Sequence, residues 1–293
     1  MGLRNTLAVA MIKGLGALPL PMSRAIGRGF GYLAWLGNGR GKQTTLRNLE
    51  LCFPDMPVNE RLALAKRSLQ ETSITGAEVG YIWTRPYDEW KDLIEVPQAS
   101  HEVVQEALAK NKGLLVLGPH LGNWEVIGLY FAEVYGITSM YEPIKYKGVD
   151  KIVHQARERT GASLVPTNTS GVKAQLKALK QGKLVGVLPD QVPDRNSGQM
   201  APFFGIPALT MGLIHSMASR TGAAAITVYA ERTDKGFKLI FSHADERIYS
   251  KDSLEALTGL NASVEACVRQ RPEQYQWEYK RFRRQTDGVD FYK

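Results

Sequence analysis

Beyond residue 110, short apolar runs rich in β-branched residues alternate with longer segments whose apolar residues recur at helical spacing. The predicted strands lie near 114–118, 137–141, 163–166, 184–188, 223–229 and 237–242. The predicted helices lie near 124–134, 149–160, 170–181, 209–220 and 253–271. This alternation predicts an α/β fold with a largely parallel central sheet flanked by helices on both faces, because parallel neighbours need a crossover that packs back on the sheet.

The first third of the chain reads as helical. Residues 1 to about 37 have the pattern of one or two amphipathic helices, joined through the Leu-Pro-Leu-Pro segment at 18–21. Further helices are predicted at 44–53 and 58–83, with a proline-bounded break between them.

The net charge of +8 is concentrated at the N-terminus. Seven lysines and arginines precede Glu50, the first acidic residue, and they are interleaved with large apolar residues. An evenly basic nucleic-acid-binding protein would spread its charge differently, so we expect an anionic membrane surface as the partner and no nucleic acid. Charges and prolines divide the apolar runs into pieces shorter than the roughly 20 residues of a membrane span, although a single strained span at the extreme N-terminus is an alternative.

The N-terminal charge and the change of pattern predict two regions. Residues 1–37 would be membrane-associating helices, and residues 38–293 a domain with a helical preface to about 110 and an α/β core at about 111–285. The cysteines, Cys52 and Cys267, have no metal-binding spacing and are predicted to be buried thiols. Neither a metal nor a cofactor is expected.

The first predicted strand runs into a turn that contains a histidine. Gly118 and Pro119 end the apolar run, His120 follows, and Asn123 is a plausible N-cap for a helix that begins near Trp124. Glu125 would then lie in the first helical turn. We expect its carboxylate to hold the His120 ring in one tautomer, while the other ring nitrogen takes a proton from a hydroxyl.

The spacing His-x-x-x-x-Glu is weak evidence by itself, because it occurs a second time at His101 and Glu106. That copy lies in a polar helical segment and is interpreted as solvated. For His120, a histidine that merely closes the turn is the alternative, and its position after a strand favours a ligand site.

Other polar residues follow the later strands. Arg157 and Arg159 end a predicted helix, where solvent exposure is an alternative to phosphate binding. Asp190 and Gln191 follow the fourth strand, where a loop cap is the alternative for Asp190.

Together these blocks resemble the bacterial lipid A late (secondary) acyltransferases of the lauroyl and myristoyl transferase type, within the wider lysophospholipid acyltransferase superfamily. The resemblance extends from about Thr45 to Arg284. It is carried by His120-Leu-Gly-Asn-Trp-Glu125, Arg157-x-Arg159-x-Gly161, Leu188-Pro-Asp-Gln191, Pro202-Phe-Phe-Gly205, Pro272-Glu-Gln-Tyr-Gln-Trp277 and Lys280-Arg-Phe-Arg283.

The resemblance implies transfer of a fatty acyl chain from acyl carrier protein to a hydroxyl of a lipid A precursor, in lipopolysaccharide biosynthesis. It also implies the cytoplasmic face of the inner membrane of a Gram-negative bacterium. The implied catalytic residues are His120 and Glu125, and the implied substrate-binding residues are Asn123, Arg157, Arg159, Asp190 and Gln191. Backbone amides at 122–124 are candidates for binding the oxyanion. The alternatives are an acyltransferase for another glycolipid or a lysophospholipid, and a non-catalytic membrane-surface protein.

Overall fold

The computed structural model describes residues 2–285 and 288–293. Its N-terminal third is helical, as predicted, with the break between the first two helices at the predicted Leu-Pro-Leu-Pro segment. Pro57 directly precedes the first residue of the longest helix. A proline is well tolerated at a helix start, because the N–H that it lacks would make no hydrogen bond within the helix. The helices are α1 (Leu3–Ala17), α2 (Leu20–Leu36), α3 (Arg40–Cys52) and α4 (Val58–Thr84).

The remainder is an α/β domain built on a seven-stranded sheet in the order β1-β9-β8-β2-β5-β3-β4. The strands are β1 (Ile94–Glu95), β2 (Leu114–Leu117), β3 (Ile137–Tyr141), β4 (Ser163–Pro166), β5 (Leu184–Val187), β6 (Gly198–Phe203), β7 (Ile206–Met211), β8 (Ala224–Arg232) and β9 (Phe237–His243). The helices are α5 (Gln98–Ala109), α6 (Trp124–Tyr135), α7 (Lys147–Arg159), α8 (Thr169–Lys180), α9 (Leu213–Thr221) and α10 (Ser253–Gln270).

The prediction of a largely parallel sheet is confirmed. Strand β2 pairs in parallel with β5 and with β8, and only β9 joins its neighbour β8 in antiparallel fashion. Successive side chains of β2 enter different cores: Leu114 and Val116 pack with α4, α5 and α6, whereas Leu115 and Leu117 pack with α8, α9 and α10. Both faces of the sheet are therefore covered by helices.

The predicted helix at 209–220 is wrong in its first part. Strands β6 and β7 form an antiparallel hairpin separate from the main sheet, and α9 begins only at Leu213. Phe204 and Gly205 make the turn, both at positive φ (50° and 74°), as a tight two-residue hairpin requires. Phenylalanine rarely adopts positive φ, so Phe204 does not indicate a turn in the sequence. The apolar residues that follow it also fit helical spacing, which explains the wrong prediction.

The N-terminal helices pack on the domain and also expose apolar side chains. Helix α2 approaches α4 so closely that a Cβ on Gly31 would overlap the backbone of Gln70. The opposite faces carry exposed large residues: Leu3, Leu7 and Met11 on α1, and Met22, Ile26, Phe30, Leu33 and Leu36 on α2. Across 2–285 and 288–293, no helix has the length and apolarity of a membrane span.

Candidate active site

The turn between β2 and α6 places His120 before the helix and Glu125 in its first turn, as the sequence predicts. The chain turns sharply at Gly122, which has φ of 62°. A Cβ on this residue would overlap the carbonyl oxygen of Ala230 in β8, so only glycine fits here. The backbone of residues 120–123 therefore packs directly against the sheet, and we call this segment the catalytic turn after the role proposed for His120.

The carboxylate that holds His120 belongs to Asp190. The Nδ1 atom of His120 lies 2.8 Å from Oδ1 of Asp190, and the His120 backbone N–H donates to Oδ2 at 2.9 Å. Asp190 follows β5, which is the neighbour of β2, so the loops after the two strands meet. The expectation that Glu125 holds the ring is wrong.

These contacts leave Nε2 of His120 as the basic atom. With its proton on Nδ1 toward Asp190, the ring presents the Nε2 lone pair, and the side-chain nitrogen of Gln191 lies 3.1 Å from it. Burial disfavours the charged ring, but the charge and hydrogen bond of Asp190 outweigh burial, so the pKa of His120 is raised. The same pairing outweighs burial at Asp190 and lowers its pKa.

Glu125 is engaged elsewhere. Its Oε1 accepts from Arg157 at 2.6 Å, and its Oε2 accepts from the indole Nε1 of Trp83 at 3.1 Å. Arg157 also stacks over the ring of Tyr141, 5.4 Å from its centroid. Glu125 is only 8% exposed, so this pairing is what balances its charge.

An apolar cavity of about 280 Å³ lies beside this ion pair. Its wall includes Trp124, whose ring centroid is 5.0 Å from that of His120, so His120 and the cavity are neighbours of the same ring. Glu125 and Arg157 are the charged residues in the wall. The apolar part comes mainly from Val116, Ile127, Leu129, Ile137, Met140, Leu164, Val187, Leu188, Met211 and Leu213. Such a cavity can hold a hydrocarbon chain.

Arg159 does not share the environment of Arg157. It is exposed, and its NH2 group donates to the carbonyls of Trp83 and Arg85 at the end of α4, at 3.2 and 2.7 Å. It lines a second, open groove together with Lys13 and Arg85. The two arginines that the resemblance assigns to one substrate site therefore line different cavities.

Asn123 points into the protein. Its side chain is 0% exposed, and its Nδ2 donates to Oε2 of Glu78 at 3.0 Å. The backbone amides of the turn are also partly occupied, because Gly122 N–H donates to the Gln274 carbonyl and Asn123 N–H to the Ala230 carbonyl. Of the predicted oxyanion donors, this leaves the amide of Trp124.

Sequence reasoning missed several residues of this region. Trp83 and Glu78 lie on α4, where nothing in the local pattern distinguishes them from ordinary helical residues. Tyr275 is buried beside Asp190, and its pKa is raised well above the ordinary value, by burial first and then by that carboxylate. It belongs to the Pro-Glu-Gln-Tyr-x-Trp block, so the resemblance was the available signal.

The second histidine motif and the cysteines lie away from the site. His101 is on α5, and Glu106 pairs with His243 on the surface. Cys52 and Cys267 are free and buried, as predicted. In 2–285 and 288–293, no group of three or more His, Cys, Asp or Glu side chains is arranged to hold a metal ion.

Comparisons with known proteins give the family. Residues 3–284 match the family model described as bacterial lipid A biosynthesis acyltransferase. Among relatives from Escherichia coli (strain K12), a lipid A biosynthesis lauroyltransferase is 27% identical, covering 93% of this chain and 89% of its own. A palmitoleoyltransferase is 26% identical (92% and 88%), and a myristoyltransferase is 24% identical (96% and 87%). The chain therefore belongs to the bacterial lipid A biosynthesis acyltransferase family and is an acyltransferase.

Proposed function

We propose that this acyltransferase moves a fatty acyl chain from acyl carrier protein to a hydroxyl of a lipid A precursor, with His120 as general base. The observation that carries the proposal is the His120–Asp190 pair, held at the end of β2 beside an apolar cavity. The family membership supports the acyl transfer and the pathway. The donor, the base and the substrate contacts are the proposed parts.

In the proposed reaction, Nε2 of His120 takes the proton of the acceptor hydroxyl as its oxygen attacks the thioester carbonyl carbon. Asp190 stabilises the imidazolium that forms, through the 2.8 Å contact at Nδ1. The tetrahedral intermediate collapses with cleavage of the carbon–sulfur bond. The leaving thiolate then takes the proton from His120, so the products are an ester and a thiol.

Transfer is direct in this scheme, without a covalent acyl-enzyme. The two cysteines are poor nucleophiles, since burial raises the pKa of Cys267 to about 11 and that of Cys52 further. No serine lies in the catalytic turn.

The donor's acyl chain would occupy the apolar cavity. Each buried CH₂ group contributes about 0.8 kcal/mol, so the depth of the cavity favours chains that fill it. Glu125 supports this site by fixing Arg157 in the wall. Gln191 lies beside Nε2 of His120, and Asp190 holds the ring from Nδ1. The protein's net charge of +8 favours the binding of an acidic donor protein.

The acceptor and the membrane would lie on the side of α1. Arg159 keeps N–H donors that can reach a phosphate, and Lys13 lines the same groove. The exposed apolar faces of α1 and α2, together with their basic residues, suit the cytoplasmic face of the inner membrane. In this arrangement the groove would lie near the depth of the lipid headgroups.

The test is an incubation of purified protein with acyl carrier proteins of different chain length and with lipid A precursors or lysophospholipids, read by mass spectrometry. We expect acylated lipid A precursor, and loss of about 10²-fold or more in rate for His120→Ala with circular dichroism unchanged. The matched control is His101→Ala, which should act at the wild-type rate. Acylation of lysophospholipid alone would refute the acceptor, and transfer by His120→Ala near the wild-type rate would refute the base.

A further inference from the structure

A buried ion network lies behind the catalytic turn, outside the cavity. Its centre is Glu78 on α4, which is 0% exposed. Arg24 of α2 donates to Glu78 Oε1 at 2.7 Å. Arg232, at the end of β8, donates to both carboxylate oxygens at 2.8 Å, to the Thr75 hydroxyl at 2.5 Å, and to Glu71.

The network reaches the catalytic turn through Asn123. Glu78 Oε2 accepts from the Asn123 Nδ2 at 3.0 Å, whereas Asn123 Oδ1 is buried without a hydrogen-bond partner in the described residues. The reversed amide would place its oxygen against the carboxylate, so Glu78 fixes which way this side chain points. A buried acceptor without a partner costs free energy, so the Asn123 side chain adds little net stability. The hydrogen bond from its Nδ2 joins the turn to Glu78.

Adjacent contacts hold the same turn from other sides. The Thr75 hydroxyl lies 3.3 Å from the Gly122 carbonyl and 3.2 Å from the Glu71 carbonyl, so its one proton is shared between these two acceptors. The Gly122 N–H donates to the Gln274 carbonyl at 2.9 Å. Thr75 is itself bound by Arg232. The ion network and the backbone of the turn therefore form one connected unit, a few residues from His120.

Arg24 extends this unit to the N-terminal helices. It is 7% exposed, and its remaining donors bind the carbonyls of Thr233 and Gly236 in the β8–β9 turn, at 2.6 and 2.9 Å. Helix α2, which carries the exposed apolar face, is thus tied through one guanidinium to both the sheet and Glu78.

We propose that Glu78 is a positioning residue for catalysis: through Asn123 it sets the catalytic turn so that Nε2 of His120 meets the acceptor hydroxyl, and Arg24 makes α2 part of that scaffold. Glu78 touches no reacting atom. The proposal rests on the catalytic role of His120 in the proposed function. A buried carboxylate with two arginines brings a desolvation penalty that its ion pairs at best balance, so stability alone is a weak reason for its presence.

The test measures kcat and KM for donor and acceptor in the full-length Glu78→Gln protein. Misplacement of a catalytic group by about 1 Å lowers turnover by about 10²-fold, so we expect kcat to fall by 10- to 100-fold. Both KM values should stay within about two-fold, because substrate contacts are intact. The midpoint of the pH–rate profile should stay at its wild-type pH, because Asp190 still raises the pKa of His120.

A second variant distinguishes an effect on the turn from a loss of folding. Asn123→Ala leaves both arginine–Glu78 pairs in place and removes only the link to the turn, so it should reproduce the fall in kcat with unchanged KM. A rise in acceptor KM instead would make Asn123 a substrate contact and overturn the proposal. Ser263→Ala on α10 removes a buried hydroxyl that accepts from the Asp245 N–H and donates to the Gly259 carbonyl, both at 2.8 Å, and serves as the control for lost stability. It should lower the melting temperature without lowering kcat.

The role of α2 is tested with Arg24→Gln on detergent-dispersed substrates, where membrane docking is not needed. A lower kcat supports the coupling, and an unchanged kcat overturns it. If His120→Ala abolishes transfer while Glu78→Gln and Asn123→Ala keep the wild-type kcat, the positioning role fails and the proposed function stands. If His120→Ala remains active, the proposed function fails first.

Discussion

The carboxylate of Glu125 meets the guanidinium of Arg157 at 2.6 Å, in the wall of the apolar cavity. Both side chains are largely buried, and Arg157 has its pKa raised because Glu125 outweighs the effect of burial. Arg159, two residues later, is exposed and binds helix-end carbonyls. The difference in environment separates two residues that the sequence treats alike.

We therefore expect Arg157→Ala and Arg159→Ala to fail in different ways. Arg157→Ala leaves Glu125 buried without its partner, which costs about 3–5 kcal/mol and should appear as a lower melting temperature. Arg159→Ala should keep the melting temperature and raise the KM for a phosphorylated acceptor. Calorimetry and acceptor titrations measure both, and matching losses in the two assays would contradict this division.

Asp190→Asn should lower kcat and move the acidic limb of the pH–rate profile. The base works unprotonated, so the rate falls as the pH drops through the His120 pKa. Asp190 raises that pKa from its ordinary value of 6.5, while burial lowers it. Without the carboxylate, burial dominates, and the limb should shift to lower pH. Glu125→Gln should shift it less, because Glu125 contributes less than Asp190.

A double-mutant comparison checks the same pairing. His120→Ala/Asp190→Asn should be little slower than His120→Ala, because residues acting as one unit are not additive. His120→Ala/Glu125→Gln should be slower than either single variant, since Glu125 acts through Arg157. If the Asp190 double variant is much slower than His120→Ala and the Glu125 double variant is not, then Glu125 is the partner of His120.

Gly128→Leu should lower the rate with long-chain donors more than with short ones. Gly128 lines the cavity, and a Cβ there meets no atom within 4 Å, so a leucine would extend into open space. Gly76→Leu is the matched control, because Gly76 is also helical, has the same free space, and does not line the cavity. Donor chain-length profiles by mass spectrometry decide the matter, and parallel profiles for the two variants would place the acyl chain elsewhere.

Phe30→Glu/Leu33→Glu should weaken binding to anionic vesicles without unfolding the protein. These side chains are 60% and 61% exposed on α2, so their replacement disturbs no core. Leu254→Glu, on α10, is the control, with a side chain 45% exposed. Co-sedimentation with vesicles is the readout, and equal binding by both proteins would contradict a membrane role for α2.

Removal of residues 1–37 would not test membrane binding alone, because these residues also take part in the fold. Because the sequence assigns residues 1–37 to membrane association and the domain to residues 38–293, it predicts that the first segment can be deleted with little harm to the fold. In the structure, however, Arg24 is buried against Glu78, and Gly31 packs on α4. Truncation would leave Glu78 with one arginine fewer and would expose α4, so its effects on binding and on folding would be mixed.

The sequence could predict elements whose signals are local. The apolar run before Gly118 and Pro119 identifies β2, and the catalytic turn follows directly from it. The role of Asp190 could not be assigned in this way, because it depends on β5 lying next to β2, and sheet order is not written in any single segment. Nearness in the chain favours Glu125 as the partner of His120, whereas the structure pairs His120 with Asp190. Glu78 gave no signal, since its partners come from α2 and from the end of β8.

The pairing of the strands has a consequence for the order of events during synthesis. Leu114 in β2 lies between Leu184 of β5 and Ala224 of β8, and Leu121 in the turn forms a bridge to Tyr275. Helices α1 to α4 leave the ribosome long before these partners exist, and long-range pairings of this kind form late. The nascent chain therefore carries its exposed apolar helices while it is still catalytically incomplete. On the proposed membrane role of α2, a ribosome-bound chain would reach a lipid surface before it could acylate anything there.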